Sequence, residues 1–266
     1  MLPALPRLFG RRARAPRRPR LPRVCEEEIS SARIAPHLDG LRLGQLSDVH
    51  IRAGAAARRL NLAVDLLNAL RPDLVVLTGD YVCVSTRALP SLTAALSRLE
   101  VPAYATLGNH DHWSGARKVR GALERAGVDV LVNEHRAIPT ARGALHLVGV
   151  DDCITGHHDP EKAFGGVPRS ATLVVLSHDP RSVRFLWPFA PALVLSGHTH
   201  GGQIYVPGLT PFVARRVGSR YLAGLFEVEG AVLFVTRGIG ATLPVRLGAP
   251  PEVAHLTLRA RRVPAT

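Results

Sequence analysis

The chain has 266 residues, 46% of them hydrophobic and 5% aromatic, with a formal net charge of +13 at neutral pH. That length and apolar content exclude a disordered chain and fit one well-buried α/β domain. Cys25, Cys83 and Cys153 are odd in number and lack C-x-x-C spacing, which excludes a disulfide framework and a thiolate zinc site.

Residues 1–36 are expected to form a basic, Pro/Arg-rich, disordered arm, with the folded domain over 37–262. Arg7, Arg11, Arg12, Arg14, Arg17, Arg18, Arg20 and Arg23 stand beside five prolines and no acid, a composition that opposes a helix. A solvated tail, a tether to anionic lipid and nonspecific nucleic-acid contact are the competing roles for it. No apolar stretch follows the arginines as an export signal requires, and no segment has the roughly 20 apolar residues of a spanning helix. The expected location is cytoplasmic, with peripheral contact at the inner face of an anionic membrane left open.

In chain order, Leu41 to Leu46 reads as a first strand ending at Ser47-Asp48. Ala55 to Leu70 carries Leu60, Val64 and Leu67 at helical spacing, and Arg71-Pro72-Asp73 stops it. Leu74 to Thr78 is a continuous apolar run of the buried-strand kind and delivers Gly79-Asp80. A helix over Thr86 to Leu99 and a strand over Pro102 to Leu107 follow, then a helix from about Gly115 to Ala126. A strand pair is expected over Val128 to Val132 and Leu145 to Val150. Thr172 to Leu176 and Ala192 to Leu195 are strands ending at Ser177-His178 and Ser196-Gly197-His198. Gln203 to Val206, Gly224 to Val228 and Ala231 to Val235 read as hairpin strands.

Five polar islands close these apolar runs: Asp48-Val49-His50, Gly79-Asp80, Gly108-Asn109-His110-Asp111, Ser177-His178-Asp179 and Gly197-His198-Thr199-His200. Ligands in α/β sheets collect at the carboxyl ends of strands, so the islands are read as one site. Two Asp, one Asn and four His offer oxygen and imidazole donors for two divalent metals, and His110 is left over. A carboxylate at Asp80 can bridge two cations, and a paired site of this type hydrolyses phosphate esters. The other seven histidines are read as structural.

The order and spacing of the islands resemble the calcineurin-like metallophosphoesterase superfamily over about residues 41 to 258. The resemblance implies an α/β (α+β) four-layer sandwich of two mixed β-sheets flanked by helices. It implies that Asp48, His50, Asp80 and His200 surround one metal, and that Asp80, Asn109, His178 and His198 surround the other. It assigns His110 to the phosphate and to protonation of the leaving group. In many relatives an acid three residues after the strand-end Asp orients that histidine. Here the position is Cys83, with Asp111 as an alternative support.

Val132-Asn133-Glu134, Val148 to Asp152, Gln203-Ile204, Arg237 to Gly240 and Pro244 to Gly248 are similar to a bacterial group of small, often membrane-associated phosphoesterases. Some of that group cleave UDP-2,3-diacylglucosamine, and others are exported phosphodiesterases. Between Pro207 and Phe226, Leu209, Phe212, Val213, Val217, Tyr221 and Leu222 interleave with Arg215, Arg216 and Arg220. Such a mixture suits a lipid phosphate, with Arg215 and Arg216 as its binding residues; a partly buried loop with a solvated basic edge is the bland alternative. The leading function is therefore a dinuclear metal-dependent phosphoesterase acting on a phosphodiester or pyrophosphate, lipid-linked or small. A nuclease is the alternative, opposed by scarce aromatic stacking surface, and a non-catalytic scaffold is opposed by the complete ligand set. Mn²⁺ is the first expectation for both metals, with Fe²⁺, Zn²⁺ or Co²⁺ as alternatives. No protein partner is inferred.

Overall fold

In the computed structural model, the structure describes residues 21–216, 218–242 and 245–261. The arm arginines from Arg7 to Arg20, together with Val217 and Pro244, lie outside the described residues. The first half runs β1 (Arg23–Ser31), β2 (Arg42–Leu46), α1 (Ala55–Leu70), β3 (Leu74–Thr78), α2 (Leu89–Leu96), β4 (Ala103–Thr106), α3 (Asn109–Arg125) and β5 (Val128–Val130). Next come β6 (Glu134–Thr140), β7 (Gly143–Gly149), α4 (Pro160–Phe164), β8 (Leu173–Leu176), α5 (Val183–Leu186) and β9 (Leu193–Ser196). The chain closes with α6 (Leu209–Arg216), β10 (Gly224–Val228), β11 (Ala231–Val235) and β12 (Glu252–Ala260).

Two six-stranded mixed sheets result, ordered β1-β12-β2-β3-β4-β5 and β10-β11-β9-β8-β7-β6. Strand periodicity explains how they layer. In β3, Leu74 and Val76 join Leu147, Val174, Leu193 and Phe234 in a core between the sheets. Val75 and Leu77, on the opposite face, pack with Leu60, Val64 and Leu67 of α1 and Leu123 of α3. On the outer face of the second sheet, Val175 and Val194 meet Phe164 of α4 and Leu186 of α5. Helix, sheet, sheet and helix make the expected four layers. Strands buried on both faces need apolar residues at every position, which is why β3 reads as an unbroken run.

Several expectations need correction. Residues 23–31 are not part of an unstructured arm: β1 pairs in parallel with β12 along its whole length. Its Glu26, Glu27 and Glu28 disguise it, and an edge strand tolerates such charges. The helix expected from Gly115 begins at Asn109 and kinks at Gly115 (φ 122°, ψ 78°), a conformation that favours glycine. Thr86 to Ala88 is a 3-10 turn preceding α2. Val128 to Val132 and Leu145 to Val150 do not pair, because β5 pairs with β4 and β7 with β6 and β8. Gln203 to Val206 forms no strand beyond an isolated bridge from Ile204 to Leu247 and Gly248. Among the described residues, no helix is long and apolar enough to cross a membrane.

Candidate metal centre

The strands β2, β3 and β4 run parallel, as do β8 and β9, so their carboxyl ends lie together at one edge of the two sheets. Below that edge, Gln45 Nε2 donates to Thr78 Oγ1 at 3.0 Å and across to Ser196 O at 3.1 Å, fastening one sheet to the other. The backbone is strained where the site begins. Asp48, His50, Asp80, His198 and His200 all take positive φ, between 43° and 67°. Such conformations cost about 1–3 kcal/mol each and persist at functional sites only when the surroundings enforce them.

These turns bring the islands together. Asp48, His50 and His200 form one group of donor atoms, and Asp80, His178 and His198 form another. His50 Nε2 and His200 Nε2 face each other at 3.1 Å, and His178 Nε2 faces His198 Nδ1 at 3.2 Å. Asp80 Oδ2 lies 3.5 Å from His50 Nε2 and 3.2 Å from His178 Nε2, so one oxygen borders both groups. Its other oxygen accepts the His110 backbone N–H at 2.9 Å. The Asp48 carboxylate accepts the His198 N–H at 3.0 Å and stands 3.6 Å from His200 Nε2.

The donor chemistry fits divalent cations. The His178 Nδ1–H donates to Thr78 O at 2.7 Å, which directs the Nε2 lone pair at the Asp80 carboxylate. A proton or a cation must lie between them. Burial opposes a charge on His178, yet Asp80 outweighs it and raises the ring well above its usual range, drawing in a proton where a cation would fit. Burial, and then for His200 the Arg246 guanidinium, lowers His50 to about 4 and His200 to about 3. Both rings are thus neutral at neutral pH, the state a metal requires. Asn109 Oδ1 is buried without a hydrogen-bond partner, a costly arrangement that a cation would relieve.

Close packing at Gly197 makes this edge intolerant of side chains. A Cβ there would collide with Ser47 Oγ and Asp48 Oδ2. Gly197→Ala should therefore displace Asp48 and lower bound metal to less than half, as read by elemental analysis of the purified protein. Full metal content in that variant would refute the packing argument.

His110 sits beside the first group, with ring centroids 4.9 Å from His50. The Cys83 thiol does not orient it. Its Nδ1 meets the Cys83 backbone carbonyl at 2.7 Å instead, so the main chain performs the expected duty of the acid. Asp111 does not support it either, since its carboxylate accepts backbone N–H bonds from Asp80, Tyr81, Val82 and Gly108. The thiol accepts a bond from Arg52 at 2.8 Å.

Arg246 has no assigned role in the sequence reading. It is largely buried, 3.0 Å from His200 Nδ1, and donates to the carbonyls of Arg237, Gly240 and Ala249. Arg215 and Arg216 lie on the last turn of α6 and are exposed, with the Arg216 guanidinium 4.9 Å from the Phe212 ring centroid. Against the start of that helix, a cavity of about 560 Å³ is lined by His198 together with Ile204, Val206, Leu209, Val213 and Leu222.

Two packed six-stranded sheets, with histidine and carboxylate side chains gathered at one edge, are the metallophosphoesterase fold. The same fold appears in TT1561 of Thermus thermophilus, with a TM-score of 0.51, 13% identity, and 76% of this chain and 90% of that chain covered. Residues 41–202 match the calcineurin-like phosphoesterase family, and the chain belongs to that family, whose members are phosphoester hydrolases using divalent metal ions. It is 33% identical to Phosphodiesterase YaeI of Escherichia coli K12 over 80% of each chain. It is 28% identical to UDP-2,3-diacylglucosamine pyrophosphatase LpxG of Chlamydia trachomatis over 88% of each chain.

Proposed function

We propose that the protein hydrolyses a phosphodiester or pyrophosphate bond in a lipid-linked substrate such as UDP-2,3-diacylglucosamine. Asp48, His50, Asp80 and His200 would hold one divalent cation, and Asp80, Asn109, His178 and His198 the other. Mn²⁺ is the cation proposed for both positions, on a donor set of oxygen and imidazole without thiolate. When bound, such a pair supplies an acidified water as nucleophile and screens the charge developing at phosphorus. The chain's own residues do the rest. Asp80 borders both donor groups with one oxygen, which would serve the cations held there, while its second oxygen accepts the His110 backbone N–H. With Nδ1–H donated to Cys83 O, Nε2 is left facing the site, and in the doubly protonated ring it would give its proton to the leaving oxygen and return to the neutral state.

The observation that carries the lipid-linked reading is the aliphatic cavity sharing His198 with the metal group. A nuclease would need stacking faces for bases, and this lining has no Phe, Tyr or Trp: beside His198, Thr199, Thr210 and Ser219 it is aliphatic. The pyrophosphatase named among the relatives supports the same substrate class, and the phosphodiesterase supports the alternative of a phosphodiester. The test is purified protein with Mn²⁺, offered UDP-2,3-diacylglucosamine in mixed micelles, a small chromogenic diester and DNA. The lipid-linked substrate should give the highest kcat/KM. DNA or the soluble diester ranking first would overturn the proposal.

Arg215 and Arg216 would meet the phosphates of the lipid-linked substrate. Replacing both with alanine should lower kcat/KM on that substrate about tenfold more than on the chromogenic diester, roughly the worth of one charge-assisted hydrogen bond. Equal losses on both would remove them from substrate binding.

A further inference from the structure

Large apolar side chains left in water are not spread evenly over this molecule. Among the described residues thirteen are exposed, and nine of them lie on segments that adjoin the metal centre. Leu209 and Phe212 of α6 are 58% and 56% exposed, and Val213 is about half exposed. Ile204 and Val206 continue the strip ahead of the helix. Val245 and Leu247 flank Arg246, which touches His200, and Leu247 bridges to Ile204.

The remaining two stand beside His110. Val84 is 80% exposed and follows Cys83, whose carbonyl holds that ring. Trp113 is 64% exposed, with its ring 5.0 Å from His110. The entrance to the site is thus edged by apolar groups on both its histidine sides. Patches of this kind mark interaction surfaces, since isolated exposed apolar residues need no explanation but contiguous ones do.

Charge identifies the partner. No acidic residue occurs between Asp179 and Glu227, while Arg215, Arg216 and Arg220 lie in that stretch. On α6, Leu209, Phe212 and Val213 share one face at i, i+3 and i+4, and the arginines of its last turn suit the anionic headgroups beside that face. The edge is mainly aliphatic, which fits acyl chains better than the bases of a nucleic acid.

We propose that the edge of the metal site is a docking face for an anionic lipid bilayer. Leu209, Phe212 and Val213 enter the headgroup boundary on one side and Trp113 on the other, so the metal centre opens toward the lipid. This rests on the lipid-linked reading above and adds where that lipid is taken from. The substrate phosphate need not leave the bilayer surface to reach His110 and His198.

Tryptophan quenching by brominated acyl chains tests it on the full chain. Vesicles of phosphatidylcholine with phosphatidylglycerol, carrying dibrominated chains, should quench a component of the emission that disappears in Trp113→Phe. Leu209→Ser with Phe212→Ser should weaken partition to the same vesicles by at least about tenfold, because binding scales with the apolar area inserted. A thermal midpoint within a few degrees of the parent confirms that this variant is folded. Absence of vesicle binding would overturn the proposal, as would binding that leaves Trp113 unquenched or ignores the double substitution. In the last two outcomes the arginine-rich N-terminal segment or charge alone would hold the protein. Turnover of the lipid-linked substrate in mixed micelles separates the two ideas: if it persists without quenching, the docking face fails and the substrate reading stands. If neither is seen, both fail.

Discussion

Asp80→Asn should lower phosphoester turnover by at least about 10³-fold, the upper range for removing a preorganised group that stabilises transition-state charge. The substitution preserves shape and changes only one atom's chemistry. Asp80 uses one oxygen to accept the His110 N–H and points the other between His50 Nε2 and His178 Nε2. An asparagine that keeps the first bond turns its amide nitrogen toward both histidine groups, where its protons repel cations. Rotated the other way, it loses the bond that positions His110. Neither orientation serves both duties. Elemental analysis should show loss of both metals, with the fold retained by circular dichroism. Turnover within tenfold of the parent, with full metal content, would remove Asp80 from its bridging role.

His110→Asn should lower turnover by about 10²–10⁴-fold on substrates with poor leaving groups, the usual range for losing a positioned general acid. On a p-nitrophenyl ester the loss should be much smaller, because that leaving group departs without a proton. Metal content should stay at the parental level, since His110 belongs to neither the Asp48–His50–His200 nor the Asp80–His178–His198 group and clusters only with His50 and the Cys83 thiol. Comparison of the two leaving groups distinguishes proton donation from simple phosphate binding. Equal losses on both substrates would assign His110 to binding instead.

The candidate metal edge of this protein is the most readable part of its sequence, for a physical reason. Strands such as β3 are buried on both faces, so Leu74 to Thr78 is apolar at each position and the next polar residue marks the strand end. Asp48, Asp80, His178 and His198 all follow such runs. The edge strands were harder. In β1, Glu26 to Glu28 sit on an outer strand that solvent can reach, and in β6 Pro139 interrupts the apolar pattern. Neither resembles a core strand because neither is one.

The early start of α3 is hidden by Asn109, His110 and Asp111, polar residues at the candidate site, of which Asp111 caps the helix. The orientation of His110 was hidden more deeply. Side chains suggest a search for an acid, whereas the partner is the Cys83 main-chain carbonyl, which every residue type possesses. Arg246 was visible within a motif, but its contact with His200 depends on a fold-back from residues far along the chain.

Anomalous scattering from a crystal grown in Mn²⁺ tests the paired site most directly. Two peaks should appear roughly 3.5–4 Å apart, with an Asp80 oxygen between them and Asn109 Oδ1 on the peak nearer His178. A single peak, or a pair to which Asp80 does not bind, would contradict a dinuclear centre in this protein.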